Sequence, residues 1–228
     1  MPANGRGFFV TGTDTGVGKT LVCAALLRGF RERGLKVAGM KPVATGCIAT
    51  PEGLRNPDAL ILQREGSARH PYATVNPFAY RPAIAPHLAA DEAGVPIHFD
   101  EICRCFEMLK SDSDMIVVEG AGGWRVPLAG RQTMGHLALR LAMPVVLVVG
   151  LKLGCLSHTL LSAEAIIGSG AVLAGWVANG IDARFERAAD NIATLASWLP
   201  APLLGHIPWL VPPDVRAAAA RLDSGLLC

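Results

Sequence analysis

The chain alternates between short apolar segments and longer amphipathic ones. Six segments rich in β-branched and aliphatic residues have the length and composition of buried strands: residues 7–12, 36–43, 115–119, 144–150, 172–178 and 203–207. Six further segments show helical spacing: residues 19–33, 101–109, 134–141, 158–167, 185–198 and 214–222. Strands that are apolar throughout need helices on both faces. The pattern therefore predicts a single-domain, doubly wound α/β fold with a mostly parallel sheet.

Residues 44–100 interrupt this alternation. The segment holds seven of the sixteen prolines and only one clear helical start, at Asp58. Because long irregular segments inside compact domains are usually functional, we expect a substrate-side excursion from the sheet and not a linker.

Composition excludes several classes of protein. A net charge of +2, spread along all 228 residues, leaves no basic stripe for nucleic acid. The longest apolar run, residues 141–151, is far shorter than the roughly 20 residues that span a membrane. Residues 1–7 lack the apolar core of a secretory signal, so we expect a cytoplasmic protein. Six cysteines without a CxxC pair predict reduced thiols, and the histidines lack the spacing of a zinc site.

The first predicted strand leads directly into residues 12–20, with the sequence GTDTGVGKT, and then into a helix. This is the context of a phosphate-binding loop, in which backbone N–H groups and the helix N-terminus surround the phosphates. Lys19 would reach the β- and γ-phosphates, and the Thr20 hydroxyl would bind magnesium. The strict pattern places a glycine at position 13, where the chain has Thr13, so the loop is a longer variant. A chance Gly-Lys-Thr turn is the alternative.

Two charged residues lie at the carboxyl ends of predicted strands, at the edge where open α/β sheets bind ligands. Lys41 is followed by a proline, and its ordinary alternative is a solvated surface lysine. Glu119 ends an apolar strand, where P-loop enzymes place a second magnesium ligand. The alternative for Glu119 is a structural hydrogen-bond acceptor. The glycines after it allow backbone and phosphate to approach closely.

Two further polar residues carry open alternatives. Asp58 follows Asn56 and Pro57, so it is either a helix cap or first-turn acid, or a metal ligand. Asn179 precedes Gly180 at the end of a predicted strand. It belongs either to an ordinary Asn-Gly turn or to a site that recognises the edge of adenine.

Several longer blocks carry a resemblance to a known family. These are residues 11–20 (TGTDTGVGKT), 41–46 (KPVATG), 50–56 (TPEGLRN), 58–59 (DA), 73–77 (ATVNP), 118–124 (VEGAGGW), 148–155 (VVGLKLGC), 174–179 (AGWVAN), 200–205 (PAPLLG) and 207–209 (IPW). Together they resemble the signature blocks of the dethiobiotin synthetases and cover nearly the whole chain.

The resemblance implies a P-loop NTPase-like homodimer that uses ATP and Mg²⁺, with Lys19 and Lys41 stabilising the transferred phosphoryl group. It implies that Thr20, Asp58 and Glu119 hold the metal. Further nucleotide contacts are implied at Gly16, Val17, Gly18, Leu21, Gly120, Ala121, Gly122, Asn179, Gly180, Ile207, Pro208 and Trp209. Thr45 would bind the substrate, and residues 150–157, with Ser157, would hold the substrate carboxylate across the dimer interface.

The implied reaction closes the ureido ring of dethiobiotin from 7,8-diaminononanoate and CO₂, through a carbamate and its mixed anhydride with phosphate. Two rivals share the fold. An amidating ligase for corrinoid precursors would need a source of ammonia, and no glutaminase domain is visible. A nucleotide-switch ATPase of the septum- or chromosome-positioning type would carry a second lysine where this chain has Asp14.

Overall fold

Twelve strands and nine helices make up the computed structural model, which describes residues 7–227. The strands are β1 Gly7–Gly12, β2 Val37–Met40, β3 Val43–Ala44, β4 Ile48–Thr50, β5 Gly53–Arg55, β6 Phe78–Ala79, β7 Met115–Gly123, β8 Pro127–Ala129, β9 Gln132–Thr133, β10 Val145–Leu151, β11 Leu173–Gly180 and β12 Leu203–Ile207. The helices are α1 Lys19–Glu32, α2 Pro57–Glu65, α3 Tyr72–Val75, α4 Pro86–Ala93, α5 Phe99–Ser111, α6 Met134–Arg140, α7 Cys155–Gly168, α8 Ala188–Trp198 and α9 Val215–Ala219, followed by a 3-10 helix at Ser224–Leu227.

Six strands form a central parallel sheet in the order β12–β11–β10–β1–β7–β2. One face packs against α1, α2 and α9 through a core that includes Leu27, Phe30 and Leu62. The opposite face packs against α5, α6 and α7, and its core contains Ile102 and Leu137. The central strands are buried on both faces because helices cover both. The predicted doubly wound, mostly parallel α/β fold is confirmed.

The predicted strand over residues 36–43 is wrong as a single element. β2 ends at Met40, and β3 begins only at Val43, where it pairs with β6 outside the central sheet. Pro42 lacks an N–H group, so the ladder cannot continue through it. Lys41 therefore lies in a break between two strands.

Other boundaries differ by a few residues. The helix predicted to begin at residue 158 begins at Cys155, and the one predicted from residue 185 begins at Ala188. The last helix is shorter than residues 214–222, and α5 is longer than residues 101–109 at both ends. Asp214 caps α9 with its side chain and therefore lies just outside it.

The excursion over residues 44–100 contains more regular structure than its prolines predicted. Besides α2 it holds α3, α4 and a short antiparallel hairpin of β4 and β5. Prolines are compatible with helices at their first turn, and Pro86 occupies that position in α4. Within residues 7–227, no helix is long and apolar enough to cross a membrane.

Candidate active site

The phosphate-binding loop joins the end of β1 to α1. Gly16 and Gly18 adopt φ angles of 76° and 87°, in the left-handed region that favours glycine. Lys19 is the first residue of α1, and its ammonium group donates to the backbone oxygen of Asp14 at 2.8 Å. The lysine side chain therefore folds back over the loop, at the place where phosphates would bind.

Lys19 is nearly buried, and this changes its acidity. Burial, together with the positive charge of Lys41, lowers the pKa of Lys19 from 10.5 to about 8. An anionic phosphate beside Lys19 would favour the charged form and offset this effect.

A cluster of three charged side chains lies beside the loop. The ammonium of Lys41 contacts Oε1 of Glu119 at 2.5 Å and Oδ2 of Asp58 at 3.1 Å. The Thr20 hydroxyl donates to the same Glu119 oxygen at 2.9 Å. Four residues from separate parts of the chain thus converge on one point. Lys41 is only 5% exposed, so the solvated surface lysine is excluded.

Lys41 and Glu119 form a buried ion pair. Burial alone would lower the pKa of Lys41, but the facing carboxylates of Glu119 and Asp58 outweigh burial and hold that pKa above its usual value. Lys41 is therefore a permanent cation at neutral pH.

The carboxylates of this cluster fit a hard divalent cation. Oε2 of Glu119 is buried without a hydrogen-bond partner among the described residues, which leaves a charged oxygen free to bind. Thr20 and Asp58 supply further oxygen atoms, the kind of ligand that Mg²⁺ prefers. No group of three or more His, Cys, Asp and Glu side chains suitable for a metal occurs within residues 7–227. The predicted set contains two carboxylates and one hydroxyl.

Asp58 stands in the first turn of α2, but it is not the cap. The side chain of Asn56 accepts from the backbone N–H groups of Asp58 and Ala59 at 3.0 and 3.3 Å, so Asn56 caps the helix. Asp58 is a first-turn acid whose side chain also contacts Lys41. Asp58 therefore stands in the first turn of α2 and also lines the cleft, and its role as a metal ligand stays a prediction.

A cleft of about 770 Å³ runs from the phosphate loop to the excursion. Predicted site residues in its lining are Gly16, Gly18, Lys19, Thr20, Lys41, Thr45, Asp58, Glu119, Ala121 and Gly122. Lining residues that the sequence did not single out are Thr15, Ala44, Asn56, Ala83, Ile84, Ala85, Pro86, Val126 and Pro127. Most of these are small or apolar and lie on the excursion or beside β8, where only a tertiary contact brings them to the cleft.

The predicted nucleotide-binding residues at the ends of β11 and β12 lie together and contact the phosphate loop through Asn179. Asn179 is paired with Ile207 across β11 and β12, and the backbone of Gly180 closely approaches that of Pro208 and Trp209. The Asn179 side chain donates to the backbone oxygen of Val17 at 2.8 Å. Its own oxygen, Oδ1, is buried without a partner among the described residues.

Some predicted residues do not face the cleft. Val17 is buried in the core and Leu21 packs against it, while Gly120 is buried within β7. Ser157 is exposed on α7. Asp14 forms an ion pair with Lys152 at 3.1 Å, a contact that the sequence did not predict.

The loop between β1 and α1, together with Glu119 in the neighbouring strand β7, defines a P-loop nucleotide-binding protein. Solved structures share this fold. A chain of the MinC:MinD cell division protein complex of Aquifex aeolicus has a TM-score of 0.60 and 17% identity, with 98% of this chain and 95% of that chain covered. A ParA family ATPase from Chlorobium tepidum has a TM-score of 0.57 and 13% identity, with 98% of this chain and 92% of that chain covered. These likenesses show the fold alone.

The sequence comparisons define the family. A family model described as an AAA domain matches residues 6–215. The ATP-dependent dethiobiotin synthetase BioD of Pseudomonas aeruginosa is 54% identical over 224 residues, 98% of this chain and 96% of that protein. Proteins of the same name from Chromohalobacter salexigens and Xanthomonas oryzae are 53% and 47% identical, each covering 93% of this chain and 94% of their own length. The chain belongs to the dethiobiotin synthetase family, a family of ligases, as its motifs predicted.

Proposed function

We propose that the chain, folded as one domain, converts 7,8-diaminononanoate, CO₂ and ATP to dethiobiotin, ADP and phosphate. Relatives at 47–54% identity, aligned over nearly their full length, are named ATP-dependent dethiobiotin synthetases. This supports an ATP-dependent, dethiobiotin-forming ligase. The finer steps follow from the chemistry of the cleft.

One observation carries the proposal: two buried lysines serve one cleft. Lys19 donates a hydrogen bond to the backbone of the phosphate loop. Lys41 lines the same cleft and contacts the carboxylates of Asp58 and Glu119. A carbamate that attacks the γ-phosphate of ATP brings two anions together, and fixed cations offset the repulsion without reorganisation. A nucleotide switch of the septum- or chromosome-positioning type would place its second lysine in the phosphate loop itself, at the position where this chain has Asp14.

The reaction begins when one amine of the substrate adds to CO₂ and loses a proton, which forms a carbamate. A carbamate oxygen then attacks the γ-phosphorus, and ADP leaves. The second amine attacks the carbonyl carbon of this mixed anhydride, and phosphate leaves as the ring closes. Lys41 stabilises the charge on the carbamate and on the transferred phosphoryl group, and Thr45 holds the substrate by a hydrogen bond. A magnesium ion on Thr20, Asp58 and Glu119 would neutralise charge on the phosphates.

Adenine would bind beside the phosphate loop. The unpartnered Oδ1 of Asn179 can accept from the exocyclic amine of adenine, while its amide group stays bonded to Val17. The turn at residues 207–209 lies next to Gly180 and would cover the base, with Trp209 half exposed.

The substrate carboxylate would bind at residues 150–157 of a second copy of the chain. Gly154 precedes α7 and no side chain caps this helix, so its N-terminus can receive an anion. Leu153 and Ser157 are exposed at this end of the helix, outside the cleft of their own protomer. The active form would then be a homodimer with composite sites.

The test is phosphate release in degassed buffer depleted of bicarbonate. Protein with Mg·ATP alone should release little phosphate. Release should rise only when diamine and bicarbonate are both added, with one phosphate for each dethiobiotin detected by mass. Stimulation by membrane vesicles or DNA, without a response to the diamine, would replace the synthetase with a switch ATPase.

A further inference from the structure

The backbone of Lys41 is hydrogen-bonded to residues at the end of α3 and not to the central sheet. β2 is an edge strand whose pairing with β7 ends at Met40. The N–H group of Lys41 donates to the backbone oxygen of Val75 at 2.8 Å, and its carbonyl accepts from Nδ2 of Asn76 at 2.7 Å. The end of α3 therefore replaces the missing neighbour strand at this residue.

The Tyr72 hydroxyl connects this support to the helix that carries Asp58. It donates to Oδ1 of Asn76 at 2.9 Å and accepts from the backbone N–H group of Asn56 at 2.7 Å. The side chain of Asn56 caps α2 at Asp58, and its amide group donates to the backbone oxygen of Thr45 at 3.3 Å. The Tyr72 hydroxyl thus links Asn76, which binds the backbone of Lys41, to Asn56, which caps the helix that carries Asp58.

The orientation of each group is determined by its chemistry. Asn76 is only 2% exposed. Its side-chain Nδ2 donates to the backbone oxygens of Lys41 and Phe78, and its Oδ1 accepts from the Tyr72 hydroxyl. Above Tyr72 the Arg55 guanidinium lies 4.3 Å from the ring centroid. A buried network in which these groups are paired is rigid, because losing one partner leaves another polar group unsatisfied.

We propose that Tyr72 and Asn76 are positioning residues, which set the distance between Lys41 and Asp58 before substrate binds. Neither residue lines the cleft. Displacements of about 1 Å in a catalytic group cost up to 100-fold in rate. Two groups from different elements need such a link, since Lys41 and Asp58 share no backbone hydrogen bond.

The chain offers a matched pair of variants, since Tyr72 and Tyr80 are its only tyrosines. The hydroxyl of Tyr80 is also bonded within the excursion, to the backbone oxygen of Val95 at 2.8 Å, but it has no link to Lys41 or Asp58. Tyr72→Phe and Tyr80→Phe each remove one hydroxyl and keep the ring. A merely structural role predicts similar effects of the two changes.

The kinetic arm of the test rests on the proposed function. Tyr72→Phe should lower kcat by roughly 10- to 100-fold and leave the KM for ATP within about twofold, because the phosphate loop is untouched. Tyr80→Phe should leave both constants near those of the parent. In a Lys41→Ala background, Tyr72→Phe should lower the remaining kcat by roughly threefold or less, since the hydroxyl then has no catalytic ammonium to position. If Tyr72→Phe lowered kcat by the same factor in the parent and in Lys41→Ala, the proposal would be overturned.

A second arm is independent of catalysis. The rise in melting temperature caused by ADP is measured with Mg²⁺ and with EDTA, and the difference reports on the metal site. Tyr72→Phe should shrink this difference because Asp58 is less well placed, whereas Tyr80→Phe should leave it unchanged. An unchanged difference in Tyr72→Phe would contradict the role of the network. If the parent makes no dethiobiotin, the proposed function fails, and this arm still decides the role of Tyr72.

Discussion

The ammonium of Lys41 lies 2.5 Å from Oε1 of Glu119, and both side chains are nearly fully buried. Lys41 directly follows β2 and Glu119 lies within β7, the neighbouring strand, and the two residues are 78 positions apart in the chain. A buried charge is tolerated when an opposite charge compensates it, so each residue depends on the other. This pair forms the centre of the candidate site, and substitutions in it should affect stability as well as catalysis.

Replacing Lys41 by alanine should separate these two effects. Turnover should fall roughly 100- to 1000-fold, as for the loss of one preorganised charge-stabilising group. In EDTA the free energy of unfolding should fall by about 3–5 kcal/mol, since Glu119 is left buried and unpaired. Mg²⁺ should restore part of that stability. Lys36→Ala, which changes an exposed lysine just before the same strand, is the control. Near-normal turnover would remove Lys41 from the catalytic residues.

The carboxylates should determine the magnesium dependence. Asp58→Asn and Glu119→Gln should each raise the half-saturating Mg²⁺ concentration by about 10-fold or more, because even indirect metal partners contribute that much. Magnesium titrations of turnover measure the change, and Glu52→Gln, an exposed carboxylate in the excursion, serves as the control. Titration curves of both variants that overlay the parent would show that the metal is held elsewhere.

Nucleotide binding should depend on pH through Lys19. The pKa of Lys19 is about 8 in the free protein, so the side chain is cationic below this pH and neutral above it. Because the phosphates of ADP favour the cation, binding above pH 8 takes up a proton. Affinity in EDTA should fall by up to about tenfold per pH unit between 8 and 10.5. Calorimetry in buffers of different ionisation enthalpy measures the proton uptake. Lys19→Met should bind ADP weakly with a flat profile, and a flat profile in the parent would contradict the assignment.

The same pKa shift has a consequence for stability. Between pH 8 and 10.5 the unfolded chain binds a proton at Lys19 that the folded protein has lost. The contribution of this residue to the free energy of unfolding therefore rises with pH through that range. Lys19→Met should lack this contribution in urea titrations of the free protein. A parent and variant with the same pH dependence would show that the lysine is not perturbed.

Asn179 should select the base. Asn179→Ala removes both the bond to Val17 and the free Oδ1, so ADP affinity should fall by roughly 10-fold, the cost of one or two hydrogen bonds. The preference for ADP over GDP should fall as well, since guanine lacks the exocyclic amine at that position. Competition binding measures both. A variant with weaker ADP binding and an unchanged preference would assign Asn179 to loop support alone.

Composite sites should allow two inactive variants to rescue each other. Ser157→Glu places a negative charge at the proposed carboxylate receptor, and Lys41→Ala disables the cleft. In an equal mixture, half of the dimers are mixed, and each contains one site with neither change. Activity should therefore recover to roughly a quarter of the parent value if the dimer is symmetric. Mixing without recovery, although sedimentation shows dimers exchanging, would place the receptor within one protomer.

The sequence identified those parts of the site that lie next to a recognisable motif. Lys19 and Thr20 belong to a loop whose glycines and following helix are contiguous in the chain. Glu119 follows a run of buried aliphatic residues, so its place at the sheet edge could be inferred from the pattern. The Asn-Pro-Asp sequence is a typical helix start, and this signal could have identified Asn56 as the cap of α2.

The chain by itself determined the alternation of strands and helices, because hydrophobic periodicity is a local property of successive residues. It determined the phosphate loop for the same reason. Pro42 marks the break after β2 in the sequence itself. The hydrogen bonds of the Lys41 backbone with Val75 and Asn76 and the Tyr72 link to Asn56 were decided only by the tertiary structure. These contacts join residues far apart in sequence, and a hydrogen bond between distant residues leaves no periodic pattern in the chain. The ion pair of Lys41 and Glu119 depends on strand order in the same way, since burial and proximity arise only when β2 and β7 pair.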